Sequence, residues 1–261
     1  MKQEFGHYEL TIKRSPFELS VKRKDDDKWY WDDFKKFTHL MGEDSAFPIQ
    51  ANYPCLLDKT DKAGKTTNPY FLQDFYVARK VLINNPQKHV DIGSRIDGFV
   101  THIASSREIE IFDIRPMTST IPNIIFKQAD LMDSSHLPQN YCDSISCLHA
   151  LEHFGLGRYG DTIDPDGHIK GFQNITTILK PGGIFYFSVP MGIQRIDFNA
   201  HRIFGLPYLM DMVSKDYDIL SFAYIDDNCE LHTNCSLTKN SIECSFDCNH
   251  GCAIYELKKK Q

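Results

Sequence analysis

Short apolar runs alternate with longer spacers from residue 88 to the end of the chain. Each run has the length of a buried strand, and several spacers are long enough to hold a crossover helix. Repeated strand–helix units of this kind build a parallel sheet that is covered by helices on both faces. We therefore predict a doubly wound, mostly parallel α/β fold. The predicted strands lie in HVDIG, IEIFDI, NIIFKQAD, CDSISCLHA, GIFYFSVP and AIYELKK.

The α/β pattern assigns residues 67–261 to a catalytic domain and leaves residues 1–66 as an N-terminal accessory segment. In the accessory segment, WDDFKKF has the spacing of a short amphipathic helix. Apolar residues recur at helical spacing over residues 69–84, which predicts a helix leading into the first strand. GFQNITTILKPGG is predicted to be a helix that Pro181 and two glycines end. YIDDNCEL and CAIYELKK are predicted to form a C-terminal β-hairpin.

Composition narrows the choice of partners. No segment approaches the roughly 18 apolar residues of a membrane span, and the first residues lack the apolar core of a signal peptide. The net charge of −6 argues against nucleic acid, because phosphates attract clustered Lys and Arg. We expect a soluble, cytoplasmic protein with a small-molecule partner and no membrane contact, and this composition is compatible with a homo-oligomer.

A glycine turn follows the first predicted strand, where open α/β sheets bind ligands. Asp113 ends the second strand about 20 residues later, which is the spacing of a carboxylate that binds ribose hydroxyls. Both features are also found in sites that bind NAD. The turn from Gly93 to Gly98 lacks the middle glycine of G-x-G-x-x-G, which admits a pyrophosphate. A nucleoside cofactor without phosphates therefore fits better.

The order of motifs over roughly residues 69–225 resembles the class I S-adenosylmethionine-dependent methyltransferases. The resemblance implies a Rossmann-like methyltransferase fold and S-adenosyl-L-methionine as the cofactor. The motifs that carry it are Asp91-Ile92-Gly93, Asp113, Gln128-Ala129-Asp130-Leu131, Leu151-Glu152-His153-Phe154 and Leu179-Lys180-Pro181-Gly182-Gly183.

A narrower resemblance is to a bacterial family of unknown function that is associated with surface polysaccharide biosynthesis. It implies an acceptor in capsule or other surface glycan biosynthesis. The segments that carry it are DIGSRIDGF, FDIRP, HALEHFGLGRYGD, DPDG and FNAHRIF.

The methyltransferase resemblance implies that Asp91 and Gly93 approach the amino-acid end of the cofactor, and that Asp130 accepts a hydrogen bond from the adenine amino group. Purely structural roles are the alternative, since an aspartate after a strand can cap the next helix and Gly93 can serve only as a tight turn. The expected cofactor-binding residues are Gln73, Asp91, Gly93, Ser94, Arg95, Asp113, Ile114, Asp130, Leu131 and His149.

Methyl transfer to a hydroxyl requires a base, and histidine accepts protons near neutral pH. His153 is the first candidate base and His201 is the second. The alternative for His153 is a structural hydrogen bond beside the cofactor, and His149 fits a structural role better than a catalytic one.

Polar loops after the fourth and fifth strands are expected to bind the acceptor, because loops at this edge of the sheet carry recognition. Their arginines favour an anionic acceptor, such as a sugar nucleotide or a phosphorylated metabolite, although surface salt bridges also explain them. The histidines and aspartates could supply ligands for a divalent cation, which is the alternative, but no spacing among them is diagnostic and no metal is predicted. The expected substrate-binding residues are Arg158, Tyr159, Asp161, His168, Arg195 and Arg202.

Cysteines are concentrated in the C-terminal part of the chain. Cys248 and Cys252 have a spacing within the range of zinc ligands. The alternative is that these cysteines are small buried residues of the predicted hairpin.

The function predicted from the whole sequence is O-methylation of a polar, sugar-containing or phosphorylated intermediate. The alternatives are a catalytically inactive cofactor-binding partner protein and an NAD-dependent oxidoreductase.

Overall fold

A computed structural model describes residues 2–5, 8–14, 17–23, 27–41, 45–64, 66 and 68–261. The chain divides into two compact units, Met1–Lys65 and Thr66–Gln261. No helix within the described ranges combines the length and apolarity that a bilayer crossing requires.

The first unit contains a small antiparallel sheet and one helix. Strands β1 (Lys2–Phe5), β2 (Tyr8–Arg14) and β3 (Phe17–Arg23) pair in the order β1-β2-β3. Helix α1 (Lys28–Met41) includes the amphipathic sequence that predicted a helix. Lys59 lies 3.0 Å from the Asp33 carboxylate and 4.0 Å from the centre of the Trp29 ring, so it links the turn Asp58–Thr60 to α1.

The second unit is built on an eight-stranded sheet with the order β12-β11-β13-β8-β7-β4-β5-β6. Strands β4 to β8 are parallel, and β13 runs antiparallel to both of its neighbours. The predicted doubly wound, mostly parallel fold is therefore confirmed. The strands are β4 (His89–Ile92), β5 (Ile109–Asp113), β6 (Ile124–Gln128), β7 (Cys142–Leu148), β8 (Leu179–Met191), β11 (Tyr217–Ile225), β12 (Leu231–His232) and β13 (Gly251–Lys259).

Helices cover both faces of this sheet, and β9 (Arg195–Asp197) pairs with β10 (His201–Ile203) as a separate hairpin. One apolar cluster contains Val77 and Val81 with Ile111, whereas the other contains Phe172 and Ile175 with Phe185. The two layers of core hold the strand ends at fixed positions. The helices are α2 (Pro69–Asn84), α3 (Thr101–Ala104), α4 (Gly167–Ile178), α5 (Leu206–Val213) and α6 (Lys239–Glu243).

Helix α2 has the bounds that the periodicity predicted. The Asn68 side chain caps its first turn by accepting the Tyr70 N–H at 3.0 Å, and Pro69 occupies the first helical position. Asn85 ends the helix in the left-handed conformation, with φ 41°. The buried face includes Gln73 as well as the apolar residues.

Helix α4 ends earlier than the sequence predicted. Its last residue is Ile178, and Leu179 is the first residue of β8, where it is buried and pairs with Cys142 of β7. Pairing with β7 and burial of Leu179 outweigh the local helical pattern. The register shifts between Cys142 and Ser144, so that Pro181 to Gly183 lie in an irregular part of the strand.

The C-terminal hairpin prediction identified the final strand, but its partner begins earlier than expected. β13 pairs along its length with β11, which starts at Tyr217. Of the predicted segment YIDDNCEL, only Tyr224, Ile225 and Leu231 lie in strands, because residues 226–230 form a turn in which Cys229 has φ 61°. All eight cysteines are free thiols.

Candidate ligand site at the carboxyl ends of the strands

A cavity of about 650 Å³ lies at the carboxyl ends of β4, β5 and β7. The chain builds outward from β4 to β5 and β6 on one side and to β7 and β8 on the other, so the cavity sits where the strand order reverses. Its size is suitable for a small organic ligand such as a nucleoside. Its walls come from α2, from the turns after β4 and β5, and from the segments that follow β6 and β7.

The turn after β4 needs glycine at its first position. Gly93 has φ +70°, and a Cβ there would lie 3.0 Å from the Ala150 Cβ. Asp91 is fully buried behind this turn and does not line the cavity. Its carboxylate accepts hydrogen bonds from the Ser94 N–H at 3.1 Å, the Ser94 hydroxyl at 2.9 Å and the Ser146 hydroxyl at 2.5 Å. Burial raises the pKa of Asp91 to about 7. Asp91 therefore shapes the turn, while Gly93 and Ser94 face the cavity.

Asp113 lines the cavity at the end of β5 and is held by Arg115. The Arg115 backbone N–H and Nε donate to Asp113 Oδ1 at 2.8 Å and 2.9 Å. Arg115 Nη2 also donates to the Gly93 carbonyl at 3.1 Å, so one side chain joins the ends of β4 and β5. Sequence reasoning missed Arg115, although the motif FDIRP places it two residues after the expected ribose ligand.

Asp130 lines the cavity just beyond β6. Its Oδ1 accepts the Met132 N–H at 2.8 Å, which fixes the carboxylate against its own turn. Ile114 and Leu131 supply apolar surface on the same side, and Gln128 Nε2 braces Ile114 by donating to its carbonyl at 2.9 Å. The carboxylates of Asp113 and Asp130 thus follow adjacent strands.

A buried carboxyl group lies between two histidines after β7. Glu152 is 1% exposed, and its Oε1 is 3.7 Å from His149 Nδ1 and 3.7 Å from His153 Nε2. These separations are too long for hydrogen bonds. Burial raises the pKa of Glu152 to about 8 and lowers the pKa of His149 to about 3. Glu152 and His149 are therefore both uncharged near neutral pH. His149 lines the cavity with φ 50°, a left-handed conformation that is uncommon for residues other than glycine.

The two ring nitrogens of His153 have different roles. Its Nδ1 lies 2.7 Å from the Ala200 carbonyl, which can only accept, so Nδ1 carries the hydrogen. Nε2 then keeps its lone pair. Burial lowers the pKa of His153 to about 4, which keeps the ring neutral, and His153 lines the cavity.

The loop after His153 is held together by Asp161. Its Oδ2 accepts the N–H groups of Gly155 at 2.8 Å and Gly157 at 3.2 Å, and its Oδ1 accepts the Tyr159 N–H at 3.1 Å. The Tyr159 ring lies 5.4 Å from the His153 ring and 4.9 Å from the Arg115 guanidinium. Arg158, Tyr159 and Asp161 all line the cavity.

Gln73 and Arg95, which the sequence assigned to cofactor binding, also line the cavity. Gln73 Oε1 accepts the Ser188 hydroxyl at 2.6 Å, and Gln73 Nε2 donates to Asp74 Oδ1 at 2.9 Å. Arg95 is largely exposed and forms a two-pronged pair with Asp97.

His168 and Arg202, which the sequence assigned to substrate binding, do not line the cavity. Arg202 is only 4% exposed, and its guanidinium donates to the carbonyls of Glu152, Phe154 and Pro165. His168 is buried with Nε2 2.7 Å from the Tyr208 hydroxyl. The structure therefore gives both side chains partners within the protein, because each is buried beside polar groups that need one.

Arg195 and His201 also lie outside the cavity lining. Arg195 Nε is 3.2 Å from Asp197 Oδ2, and its Nη2 is 2.8 Å from His250 Nε2. His201 Nε2 is 3.7 Å from the same Asp197 oxygen. Arg195, Asp197 and His201 belong to the β9–β10 hairpin, and together with His250 they make up a separate polar group.

The described residues contain one group of three potential metal ligands whose ligand atoms lie within 4.8 Å of one another, namely Asp226, Glu230 and His232. No cysteine belongs to it. Asp226 accepts the N–H groups of Asn228 and Glu230 at 2.9 Å each, and its other oxygen is 3.0 Å from His232 Nε2. These hydrogen bonds account for the group as a capped turn.

The fold is that of a doubly wound α/β protein, and its cavity at the strand ends has the size of a small-ligand site. Residues 108–250 match the family described as "Caenorhabditis protein of unknown function, DUF268", and because the match spans more than half of the chain, the chain belongs to that family. The match begins just before β5 and therefore leaves out the turn at Gly93. The description names Caenorhabditis rather than bacteria and mentions no polysaccharide.

No curated protein matches the chain. Among solved structures, an N-methyltransferase, NodS from Bradyrhizobium japonicum WM9, with bound S-adenosyl-L-homocysteine, is 12% identical, with 74% of this chain and 89% of that chain covered and a TM-score of 0.49. A putative sarcosine dimethylglycine methyltransferase from Galdieria sulphuraria is 14% identical, with 72% and 86% covered and a TM-score of 0.49. The [4+2]-cyclase SpnF is 13% identical, with 72% and 80% covered and a TM-score of 0.49. The activities in these names are those of the matched proteins.

Proposed function

We propose that this chain is an S-adenosyl-L-methionine-dependent methyltransferase that methylates a hydroxyl group of a polar acceptor. The observation that carries the proposal is the presence, in one cavity, of carboxylates after β5 and β6 and of a neutral histidine after β7. The carboxylates can accept hydrogen bonds from the donor groups of a nucleoside. The neutral histidine can accept the proton of a reacting hydroxyl.

The cofactor assignments follow the order of the strands. Asp113 accepts hydrogen bonds from the ribose hydroxyls, and Asp130 accepts one from the adenine amino group. Ile114 and Leu131 pack against the adenine ring. The bare backbone of Gly93 lets the 5′ side of the nucleoside approach β4, and Asp91 acts indirectly by holding Ser94.

The same geometry favours a nucleoside over NAD. The turn after β4 has Arg95 where a dinucleotide turn has its second glycine, and Arg95 pairs with Asp97. The sheet also departs from the dinucleotide-binding order 3-2-1-4-5-6, because the antiparallel strand β13 lies next to β8.

When bound, S-adenosyl-L-methionine supplies a methyl group whose bond to the charged sulfur breaks as its bond to the acceptor oxygen forms. His153 takes the proton of the acceptor hydroxyl on Nε2, because Nδ1–H is committed to the Ala200 carbonyl. The Ala200 carbonyl stabilises positive charge that develops on the ring, whereas the Arg158 guanidinium, which donates to the same carbonyl at 2.8 Å, disfavours it. His201 is not assigned to the reaction, since it lies outside the cavity lining.

The acceptor side of the cavity combines Arg158 with the Tyr159 ring. A guanidinium beside an aromatic ring suits an anionic, ring-containing acceptor such as a sugar nucleotide or a phosphorylated sugar. An acceptor from capsule or other surface glycan biosynthesis rests on the motif resemblance alone.

Calorimetry followed by mass spectrometry tests the proposal. The protein is titrated with S-adenosyl-L-methionine, S-adenosyl-L-homocysteine and NAD, and the first two are expected to bind. Sugar-nucleotide and phosphosugar pools are then incubated with protein and methyl-labelled cofactor, and a labelled methyl adduct identifies the acceptor. Binding of NAD alone would overturn the proposal. Cofactor binding without transfer to any pool would favour the inactive partner protein.

A further inference from the structure

Asp74 is a carboxylate in the cavity that the assignments above leave unused. It lies on α2 and lines the cavity together with Gly98, which lies in the kinked π-helical segment Ile96–Val100 after β4. Gln73 Nε2 donates to Asp74 Oδ1 at 2.9 Å, and Gln73 is itself held by the Ser188 hydroxyl. The Asp74 carboxylate is therefore fixed by a second residue whose own position is set by β8.

Gly98 gives this carboxylate room. A Cβ on residue 98 would lie 2.5 Å from Asp74 Oδ2, so any other residue there would displace the oxygen. The segment that contains Gly98 directly follows the turn that begins at Gly93. Asp74 Oδ2 is thus packed against the same turn that the cofactor approaches.

Asp74 lacks a cationic partner within the described part of the chain. Arg95, which also lines the cavity, pairs with Asp97 instead. Burial raises the pKa of Asp74, and hydrogen bonds from Gln73 and the Phe99 backbone oppose this shift. His102 also opposes it more weakly, whereas Asp97 adds to it. A partly buried carboxylate of this kind gains free energy when a ligand brings a positive charge to it.

The strand order indicates which part of the ligand reaches Asp74. Asp130, Asp113 and Gly93 follow β6, β5 and β4, which are adjacent in that order. A nucleoside that spans Asp130 and Asp113 therefore points its 5′ substituent at Gly93 and at the segment Ile96–Val100, which contains Gly98.

We infer that Asp74 binds the primary ammonium group of the cofactor's amino-acid part. This inference rests on the proposed function, because it requires the nucleoside at Asp113 and Asp130. Gln73 is then a positioning residue that orients the carboxylate.

Isothermal titration of wild-type protein and Asp74→Asn with three ligands tests the inference. S-adenosyl-L-homocysteine carries the ammonium and the carboxylate, its decarboxylated analogue keeps only the ammonium, and 5′-methylthioadenosine has neither. We expect Asp74→Asn to raise the Kd of the first two by about 10- to 150-fold, as for the loss of a charged hydrogen bond. The Kd of 5′-methylthioadenosine is expected to stay within about threefold.

Asp218→Asn, on the exposed strand position of β11, is the matched control and should bind all three ligands as the wild type does. An unchanged Kd for S-adenosyl-L-homocysteine in Asp74→Asn would overturn the inference and leave the proposed function standing. An equal loss for 5′-methylthioadenosine would also overturn it, since the effect would then not concern the ammonium. If the wild type binds none of the three, the proposed function itself fails.

Discussion

The Arg115 guanidinium holds both carboxylate oxygens of Asp113, with Nε 2.9 Å from Oδ1 and Nη2 2.5 Å from Oδ2. Because Nη2 also reaches the Gly93 carbonyl, the carboxylate is oriented relative to the turn after β4 as well as to its own strand. Such a two-pronged pair fixes direction more firmly than a single hydrogen bond.

Asp113→Ala should therefore weaken the binding of S-adenosyl-L-homocysteine by about 1–3 kcal/mol, as expected for lost hydrogen bonds to buried ribose hydroxyls. Calorimetry on the variant and on Asp218→Ala measures the difference. Equal affinities in the two variants would mean that the cofactor does not lie at the end of β5.

His153→Ala should lower the rate of methyl transfer by about 10²- to 10⁴-fold, because the variant lacks the Nε2 lone pair that accepts the proton. Cofactor affinity should change little, since the ring is assigned to the acceptor. The rate is measured with labelled cofactor on the acceptor that the mass spectrometry identifies. His232→Ala, on β12 beside the capped turn at Asp226, is the control. Undiminished transfer by His153→Ala would remove His153 from the reaction.

Glu152→Gln should change how stability depends on pH. Burial raises the pKa of Glu152 to about 8 in the folded protein, from a usual value of 4.5. Between these values the folded state holds a proton that the unfolded state has lost, so the contribution of Glu152 to stability falls as pH rises. The wild type should lose stability relative to Glu152→Gln by up to about 1.4 kcal/mol per pH unit in this window.

Urea unfolding of the wild type and Glu152→Gln at pH 5, 6, 7 and 8 measures this difference. Glu152 faces His149, His153 and, at longer range, Arg158, all of which are present in both proteins. A difference that stays constant with pH would contradict the prediction.

Arg202→Met should destabilise the fold by roughly 2–3 kcal/mol, because buried carbonyls lose a charged donor. The affected carbonyls are those of Phe154 and Pro165, together with that of Glu152. Urea unfolding of Arg202→Met is compared with that of Arg195→Met, whose wild-type side chain is more exposed. If both variants lose the same stability, Arg202 does not hold these segments together.

The parts of the site that follow strand ends could be predicted from the sequence. Gly93, Asp113 and Asp130 each stand at the end of an apolar run, and the parallel sheet brings such ends to one edge. Residues whose partners lie far along the chain could not be placed in this way. The Arg202 guanidinium reaches carbonyls of residues 152, 154 and 165, and no local pattern shows that these carbonyls need a donor.

Local patterns also failed where tertiary pairing decided the boundaries. Leu179 continued a helical pattern, but pairing with β7 placed it in a strand. Tyr217 to Ala223 of β11 were not identified as a strand, although Tyr217 and Phe222 are buried against the sheet. Arg115 is a different case, because it stands two residues after Asp113 and its short reach to that carboxylate was visible in the sequence.

The position of β13 has a consequence for the order in which the sheet is assembled. β13 is the last strand in the sequence, yet it lies between β8 and β11 and pairs with both. During synthesis, β11 and β12 emerge before the strand that connects them to the parallel part of the sheet. The edge of β8 that pairs with β13 therefore stays open, with its backbone groups unpaired, until the residues of β13 have been made.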